Sequence, residues 1–545
     1  MIGISHRRNR CYILSAMLGL LLNGILEAQE TSDVFSLNLR TQERTSANSN
    51  RFHTVSRHET WSPSETAVIV CDMWDLHHCL NATRRVGELA PRMNQVLHSA
   101  RSRGALIIHA PSSCMDPYEN HPARQRALAT PKAANLPKDI GQWCYQITQE
   151  EGKVYPIDQS DGGEDDDLVE HAQWAQMLSS MGRNPRAPWK SQTDALTIED
   201  QDVISDNGEE IWNVLESEGI KNVILVGVHT NMCVLGRPFG LRQMAQNGKN
   251  VVLMRDMTDT MYNPGRAPYV SHFTGTDLIV EHIEKWVCPT ITSNQLIGGK
   301  PFRFDKDRRR HLAIVMAERE YRTNESLPDF ARAHLGTDFR VSYVYANDEV
   351  RNDLPGINIL QEADLALISV RRRALPEHKM SVLREFIESG KPVVGVRTAN
   401  HAFSLHNETP PEGLSTWESF DEDVWGGHYT GHHGTGPAVQ LSPSVEMIHH
   451  AILQGVNLSD LEGKGSLYKV MPLKDSTTIL LTGLIPTISE EPIAWTNVTR
   501  WGGRAFYTSL GHIEDFQQPA MNRLLKNAIY WAAEIPMVSG VAAAK

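Results

Sequence analysis

Short, almost wholly apolar runs recur along this 545-residue chain, and they most strongly restrict what it can fold into. The first run, residues 66–72, reads Thr-Ala-Val-Ile-Val-Cys-Asp. Such a run predicts a strand buried on both faces, as in parallel sheets covered by helices. Comparable runs occur at residues 105–109, 222–227 and 250–254 in the first half, and at 311–316, 340–344, 363–369, 392–396 and 503–509 in the second.

Helical segments alternate with these runs. They are predicted at residues 86–103, 206–218, 235–247, 327–335, 376–389 and 520–533. Strand and helix in alternation predict the α/β class, here two tandem three-layer α/β/α domains with mainly parallel sheets, over residues 61–290 and 307–540. The stretch 291–306 has little periodicity and is predicted to be a linker. An active site is expected at the carboxyl ends of the strands.

The N-terminal residues have the pattern of an export signal. Residues 1–28 combine a basic start, an apolar run over 11–22 and a small residue, Ala28, at a plausible cleavage point. We therefore expect a periplasmic or extracellular protein. The alternative is an uncleaved membrane anchor, although the run is shorter than the ~20 apolar residues of a span. The polar residues 29–60 are predicted to be a flexible linker.

Composition restricts the partners. The chain has 53 Lys and Arg against 65 Asp and Glu, a net charge of −12, so no bulk attraction to nucleic acid or anionic lipid is expected. Six cysteines follow Cys11, too few for a disulfide-based scaffold of this size, and no CxxC pair occurs. Neither nucleic acid nor a membrane surface is therefore an expected partner.

Three residues of the first domain are predicted to lie at or beyond strand ends: Asp72, Lys190 and Cys233. Cys233 precedes a predicted helix, whose dipole lowers a thiol pKa, and a nearby lysine would add to that effect. An aspartate could take the thiol proton. Taken singly, each residue has a structural alternative. Cys233 could be a buried small side chain, Asp72 a helix cap or core ion partner, and Lys190 a surface cation.

Together these residues resemble the isochorismatase-like cysteine hydrolase family, which includes nicotinamidase and N-carbamoylsarcosine amidase. The motifs are Val-Ile-Val-Cys-Asp-Met-Trp-Asp over 68–75, the Lys190 segment, and Val-Gly-Val-His-Thr-Asn-Met-Cys-Val over 226–234. The resemblance implies Cys233 as nucleophile, Asp72 as general base and Lys190 as the cation that holds both. It also implies a cis peptide at Val228-His229, with the N–H groups of His229 and Cys233 as an oxyanion hole. A homo-oligomer is compatible with the resemblance.

The chain departs from nicotinamidases in the segment after the second strand. There it reads His-Ala-Pro-Ser-Ser-Cys-Met-Asp over 109–116, with His121 beyond, and this spacing differs from the metal-binding pattern. Asp116 and His121 could ligate a metal, but surface and turn roles are favoured, so no cofactor or metal is expected. Trp74 and His77 are candidate substrate-binding residues, with a core role as the alternative.

Residues 308–540 resemble the trehalose-utilisation (ThuA-like) family, whose fold is like that of class I glutamine amidotransferases. The motifs are Ala-Asp-Leu-Ala-Leu-Ile-Ser over 363–369, Gly-Lys-Pro-Val-Val-Gly-Val over 390–396 and Phe-Tyr-Thr-Ser-Leu-Gly-His over 506–512. Amidotransferases carry a nucleophilic cysteine where this chain has Arg397, so glutaminase chemistry is not expected. The candidate residues of a polar cleft are Arg397, His401, His428, His432, His512 and Glu514.

The sequence thus favours an exported hydrolase that cleaves a C–N bond of a small amide or carbamoyl compound, with a second domain that binds a small polar ligand, such as a sugar. Two alternatives remain at this point. One is a non-catalytic binding protein built on two enzyme folds. The other is a carbohydrate-active second domain with the first as accessory.

Overall fold

The computed structural model describes residues 34–406, 408–434 and 436–536. The predicted export signal, 1–28, lies outside the described residues. Within them, no helix is long and apolar enough to cross a membrane.

The first domain is built on one eight-stranded sheet. Its strands are β1 (Phe35–Arg44), β2 (Phe52–Trp61), β3 (Thr66–Cys71), β4 (Leu106–Ala110), β5 (Val203–Ile204), β6 (Asn222–Val228), β7 (Asn250–Asp259) and β8 (Thr290–Ile291). The strand order is β2-β1-β8-β7-β6-β3-β4-β5, and the run from β8 to β5 is parallel. Because β3 leads to β4 on one side and the chain later returns on the other side as β6, the topology switches direction between β3 and β6.

Helices cover both faces of this sheet. They are α1 (Leu80–Ser102), α2 (Pro122–Ala129), α3 (Leu168–Ser180), α4 (Gly208–Ser217), α5 (Leu241–Gln246), α6 (His272–Trp286) and α7 (Asn294–Ile297). Alternate β3 residues face different cores, with Val68 and Val70 packed on the α1 side and Ile69 on the α4 and α6 side. This two-sided burial explains why the strand sequence is continuously apolar.

The prediction of a flexible linker over 29–60 is wrong for the residues that the structure describes. β1 and β2 form an antiparallel hairpin, and β1 extends the sheet by pairing with β8 at Arg40 and Thr290. Phe35, Leu37 and Leu39 are buried on the inner face of β1. Their period of two is a strand signal that the polar composition of the segment obscured.

The segment 291–306 is a packed connection. It includes α7, and Phe302 and Phe304 pack against the core on the α1 side of the first domain. The Phe302 N–H donates to Asp256 Oδ2 at 2.8 Å. Side chains that bury apolar area in this way hold the segment along the first domain.

Glu150 links the long segment between β4 and β5 to helices α5 and α6. Its carboxylate accepts from Arg242 Nε and Nη2, both at 2.7 Å, and lies 2.8 Å from His282 Nε2. Burial raises the pKa of Glu150, but the bonds from His282 and Arg242 outweigh it and lower that pKa to about 2.

This carboxylate should make stability depend on acid pH. A depressed carboxyl pKa contributes stability that is present above pH 4.5 and lost as the pH falls towards about 2, here about 3 kcal/mol. Urea denaturation of the full chain over this pH window should therefore show a smaller loss in Glu150→Gln than in the parent. Glu151→Gln, at the exposed neighbouring position, should retain the parent's full loss. Equal losses in both variants would contradict the assignment.

The second domain has a nine-stranded sheet, flanked by two short strand pairs. Its strands are β9 (Arg310–Ala317), β10 (Phe339–Tyr345), β11 (Leu365–Val370), β12 (Leu375–Pro376), β13 (Val393–Val396), β14 (Leu414–Ser415), β15 (Gly431–His432), β16 (Val439–Pro443), β17 (Glu462–Gly463), β18 (Tyr468–Lys469), β19 (Thr478–Leu484), β20 (Glu491–Val498) and β21 (Arg504–Thr508). The order of the large sheet is β10-β9-β11-β13-β21-β20-β19-β16-β17. The first five strands are parallel and the rest extend the sheet antiparallel.

Among the described residues of the second domain, the α-helices are α8 (Thr323–His334), α9 (Glu377–Glu388) and α10 (Pro519–Ala532). α8 and α10 pack on one face of the sheet and α9 on the other. The prediction of tandem α/β domains with three layers each is confirmed. In this sheet the direction switches between β9 and β11, because β9 leads outward to β10 and the chain then crosses to β11.

Candidate functional site

Asp72 and Cys233 converge at the carboxyl edge of the first sheet, at its switch point. β3 and β6 pair in parallel, with Cys71 opposite Gly227, so the residues that follow each strand lie side by side. A Cβ on Gly227 would lie 2.0 Å from the carbonyl oxygen of Cys71, which explains the glycine at this close approach. Asp72 and Cys233 are both buried, and the thiol lies within hydrogen-bonding reach of the carboxylate.

Arg237 supplies the cation of this site. Its Nε lies 3.1 Å from Asp72 Oδ2, while Asp72 Oδ1 accepts from the Ser112 N–H at 2.8 Å. The prediction that Lys190 holds Asp72 and Cys233 is wrong. The Lys190 side chain is exposed and makes no ion pair with any described residue, and its backbone N–H donates to Asp75 Oδ1 at 3.0 Å.

The sequence predicts a lowered pKa for the Cys233 thiol, and the buried site has the opposite effect. Burial, together with the negative charge of Asp72, raises the pKa of the Cys233 thiol, and Arg237 opposes that rise. Burial likewise raises the pKa of Asp72, against the opposing effects of Arg237, Cys233 and Ser112. Because burial and the charge of Asp72 disfavour the thiolate, the sulfur needs a proton acceptor when it attacks.

The turn between β6 and Cys233 has the backbone geometry that the resemblance implied. The Val228-His229 peptide bond is cis, and the residues after it, Thr230–Val234, form a single helical turn. The His229 N–H faces the sulfur of Cys233 and opposes the rise of its pKa. A backbone donor at this position is suited to a developing oxyanion.

Trp74 and His77 belong to an aromatic wall beside this turn. Trp74 stacks on Trp189 with ring centroids 4.7 Å apart, and His77 stacks on both at 5.9 and 5.8 Å. His77 also meets the ring of His229 edge-on at 4.9 Å. Burial lowers the pKa of His77 well below its usual range and that of His229 to about 3, so the wall is uncharged at neutral pH.

The long segment between β4 and β5 closes the site from the other side. Trp143 lies over the Arg237 guanidinium at 5.3 Å, and a Cβ on Gly236 would lie 2.5 Å from the Trp143 ring. The Tyr155 hydroxyl donates to the Asn231 carbonyl oxygen at 3.2 Å. These contacts position the turn that carries Cys233.

Asp116 and His121 do not form a ligand pair in the structure. Asp116 is exposed, and His121 Nδ1 accepts from the Ala123 N–H at the start of α2. Among the described residues, one group of three side chains has its metal-ligand atoms within 4.8 Å of one another: Cys79, Asp165 and Asp166. These three residues do not fit a metal site, because their carboxylates already have partners. The Arg85 guanidinium donates to both oxygens of Asp165, and Asp166 accepts from the first N–H groups of α1.

In the second domain, Arg397 follows β13 with a left-handed backbone, φ +51°. Its guanidinium donates to the carbonyl oxygens of Ser509 and Ser466 at 2.7 and 3.0 Å. It also lies over the rings of Tyr468 and Tyr321, at 4.1 and 4.7 Å. Arg397 therefore occupies the turn where a nucleophile would stand and acts as a packed cation.

The other predicted cleft residues divide into two groups. His401 is buried and stacks on Tyr429 at 4.3 Å, while His512 meets Tyr321 at 5.8 Å, so both lie near Arg397. The outer group consists of His428, His432 and Glu514, which are exposed. His428 pairs with Asp421 and His432 with the carbonyl oxygen of His433.

Sequence reasoning missed Arg237 and Trp189. Arg237 lies four residues after Cys233, one helical turn away, and that spacing is the signal that could have found it. Trp189 is adjacent to the lysine that was chosen instead. For the tyrosines around Arg397, no local sequence pattern exists, because loops distant in sequence bring them together.

One family model and several solved structures match parts of this chain. Residues 317–532 match the model of the trehalose-utilisation family, ThuA. A ThuA-like protein from Parabacteroides merdae matches at 19% identity and TM-score 0.34, over 43% of this chain and 93% of its own. No curated protein sequence matches the chain.

Solved structures of the isochorismatase type also match. A cysteine hydrolase from Pseudomonas syringae pv. phaseolicola matches at 16% identity and TM-score 0.26, over 43% of this chain and 92% of its own. The pyrazinamidase of Pyrococcus horikoshii, solved with zinc, matches at 15% identity and TM-score 0.22, over 42% and 98%. The chain is thus similar to isochorismatase-like cysteine hydrolases in one part and to the trehalose-utilisation family in the other.

Proposed function

We propose that this protein is an exported hydrolase that cleaves the C–N bond of a small, uncharged amide or carbamoyl compound through Cys233. The observation that carries the proposal is the buried Cys233 and Asp72 pair at the switch point, with Arg237 on the carboxylate. The second domain binds a small polar ligand near Arg397 and His401.

The proposed reaction proceeds by proton transfers between Cys233, Asp72, the leaving nitrogen and water. Cys233 Sγ attacks the carbonyl carbon as its proton passes to Asp72, and the carbonyl oxygen becomes an oxyanion that accepts from the backbone N–H groups of His229 and Cys233. The C–N bond then breaks, and the leaving nitrogen takes the proton from Asp72. Water then attacks the resulting thioester and gives one proton to Asp72. The C–S bond breaks, the acid is released, and Asp72 returns the proton to the Cys233 sulfur, which restores the thiol and the carboxylate.

Arg237 keeps Asp72 in place through this cycle. A carboxylate buried without a cation would be neutral at working pH and could not accept the thiol proton. The neighbouring Arg237 guanidinium offsets the free-energy cost of burying the negative charge of Asp72. It also favours the anionic sulfur that forms during attack.

The aromatic wall favours a planar and uncharged substrate. Trp74, Trp189 and the neutral His77 carry no formal charge, and Trp189 is the partly exposed ring of the three. A small amide, ureide or carbamoyl group can stack there, whereas a charged group would lose hydration without a partner.

Ammonia release by the purified chain from a panel of small amides, ureides and carbamoyl compounds tests the proposal. We expect turnover of at least one member, and mass spectrometry of a rapidly quenched reaction should show the acyl group on Cys233. The Cys233→Ala chain should release none. Equal release by both chains would overturn the cysteine mechanism, and no turnover of any member would favour a binding protein.

Trp189 should contribute to substrate binding more than to chemistry. In Trp189→Ala, loss of the stacking partner should raise KM about tenfold and leave kcat within about twofold. Trp501→Ala in the second domain, where Trp501 packs edge-on against Trp417, is the matched control. A fall in kcat with unchanged KM would place Trp189 outside the substrate-binding wall.

A further inference from the structure

A group of arginines surrounds the switch point of the second sheet. The cavity there has a volume of about 320 Å³ and is lined by Glu318, Arg319, Glu320, Arg351, Arg371 and Arg373. Glu318 follows β9 and Arg371 follows β11, the two strands between which the topology changes direction. Crevices at this place in open α/β sheets are the usual position of ligands.

The acidic side chains of this cavity are already engaged. Glu318 is buried, and its two oxygens accept four bonds at 2.7 Å from the loop after β9: two from Thr323 and one each from the N–H groups of Glu320 and Tyr321. Glu320 pairs with Arg371 at 2.9 Å. The cavity lining therefore has two carboxylates against four guanidinium groups and carries a net positive charge.

Arg319, Arg351 and Arg373 make no ion pair with any described residue. Arg319 Nη2 donates to the Asp348 carbonyl oxygen at 3.0 Å, and Arg373 Nε donates to that of Ala317 at 3.0 Å. Arg373 is buried, and its burial and the charges of Arg351, Arg319 and Arg371 lower its pKa to about 10. Mutually repelling guanidinium groups in one crevice are stabilised by an anion.

Unpartnered polar atoms lie on the adjoining loops. The buried atoms Thr398 Oγ1, Asn400 Nδ2 and Ser509 Oγ have no hydrogen-bond partner within the described chain. They follow β13 and β21, beside Arg397 and the stacked pair His401 and Tyr429. The N–H groups of Arg372 and Arg373 donate to the carbonyl oxygens of His401 and Ala402 at 3.1 and 2.8 Å, which places the arginine cavity next to this polar and aromatic surface.

We propose that the second domain binds a small molecule that carries a phosphate or carboxylate group, with Arg319, Arg351 and Arg373 as the anion site and the Tyr429 region for the rest of the ligand. The inference rests on the proposed function in that it names the class of the second domain's polar ligand. A guanidinium fork matches both oxyanions, which is the chemistry that the two classes share.

Calorimetric titration of the full chain with inorganic phosphate, glucose 6-phosphate, gluconate and glucose tests this site. We expect glucose 6-phosphate or gluconate to bind at least about tenfold more tightly than glucose, and binding to weaken as ionic strength rises. Binding of phosphate compounds without gluconate would identify the phosphate as the anion, and the reverse would identify the carboxylate.

Three variants make the test specific to the cavity. Arg319→Gln with Arg351→Gln, both at exposed positions, should weaken anion binding by about tenfold or more. Glu320→Gln removes the ion-pair partner of Arg371 and should tighten anion binding several-fold. A misfolded variant could not produce this result. Arg500→Gln removes the same charge at the opposite edge of the sheet and should change nothing.

Absence of anion binding, or equal losses in the Arg319/Arg351 and Arg500 variants, would overturn the inference. Binding of glucose as tight as that of its phosphate would also overturn it while leaving a polar-ligand site in the second domain. Ammonia release by Cys233 is measured separately and does not depend on either result.

Discussion

Cys233→Ala is expected to reduce amide turnover to background, and Asp72→Asn to lower kcat/KM by about 10²–10⁴. Alanine removes the atom that forms the thioester. Asparagine keeps the shape of the side chain but cannot accept a proton from a thiol whose pKa burial has raised. Initial rates of ammonia release, at substrate concentrations below KM, measure both effects.

The pH profile of the parent enzyme should show the same group. Asp72 acts as a base only when ionised, so activity should fall as the pH decreases through its pKa, which burial raises above the usual value of 3.8. In Asp72→Asn this acid limb should disappear from the residual activity. Cys288→Ala, which removes a buried cysteine at the end of α6, should keep both the limb and the rate. An unchanged rate in Asp72→Asn would contradict the general-base role.

Arg237→Gln should be the most damaging change outside the reacting pair. It leaves the fully buried Asp72 carboxylate without its ion-pair partner, and loss of one member of a buried pair costs about 3–5 kcal/mol. We expect that loss in the free energy of unfolding, and a fall in kcat because a neutral Asp72 cannot take the thiol proton. Urea denaturation and ammonia release measure the two effects.

Lys190→Ala is the matched control for this cation. Its side chain is exposed, so the free energy of unfolding should change by less than about 0.5 kcal/mol and kcat/KM should stay near that of the parent. Arg237→Lys keeps the charge and should recover part of the activity lost in Arg237→Gln. If Lys190→Ala lost more activity than Arg237→Gln, the assignment of the cation would be reversed.

The fold class and the convergence of Asp72 with Cys233 could both be predicted from the amino-acid sequence. Both conclusions depend on local patterns: continuous apolar runs mark strands buried on two faces, and parallel strands bring the residues after them to one edge. The Val228-His229 cis peptide was implied by the family resemblance, and the structure contains it. The same local logic failed at residues 35–61, where polar composition concealed the alternating burial of a hairpin.

Two features could not be predicted from the sequence: the identity of the cation that pairs with Asp72, and the meeting of the second domain's arginines. Both depend on contacts between distant parts of the chain. Lys190 and Arg237 are both plausible in sequence, and the path of the chain after Asp75 exposes the lysine while one helical turn brings Arg237 onto the carboxylate. Arg319, Arg351 and Arg373 come from separate loops. Their meeting depends on the crossing from β10 to β11, a long-range connection that no local spacing of residues encodes.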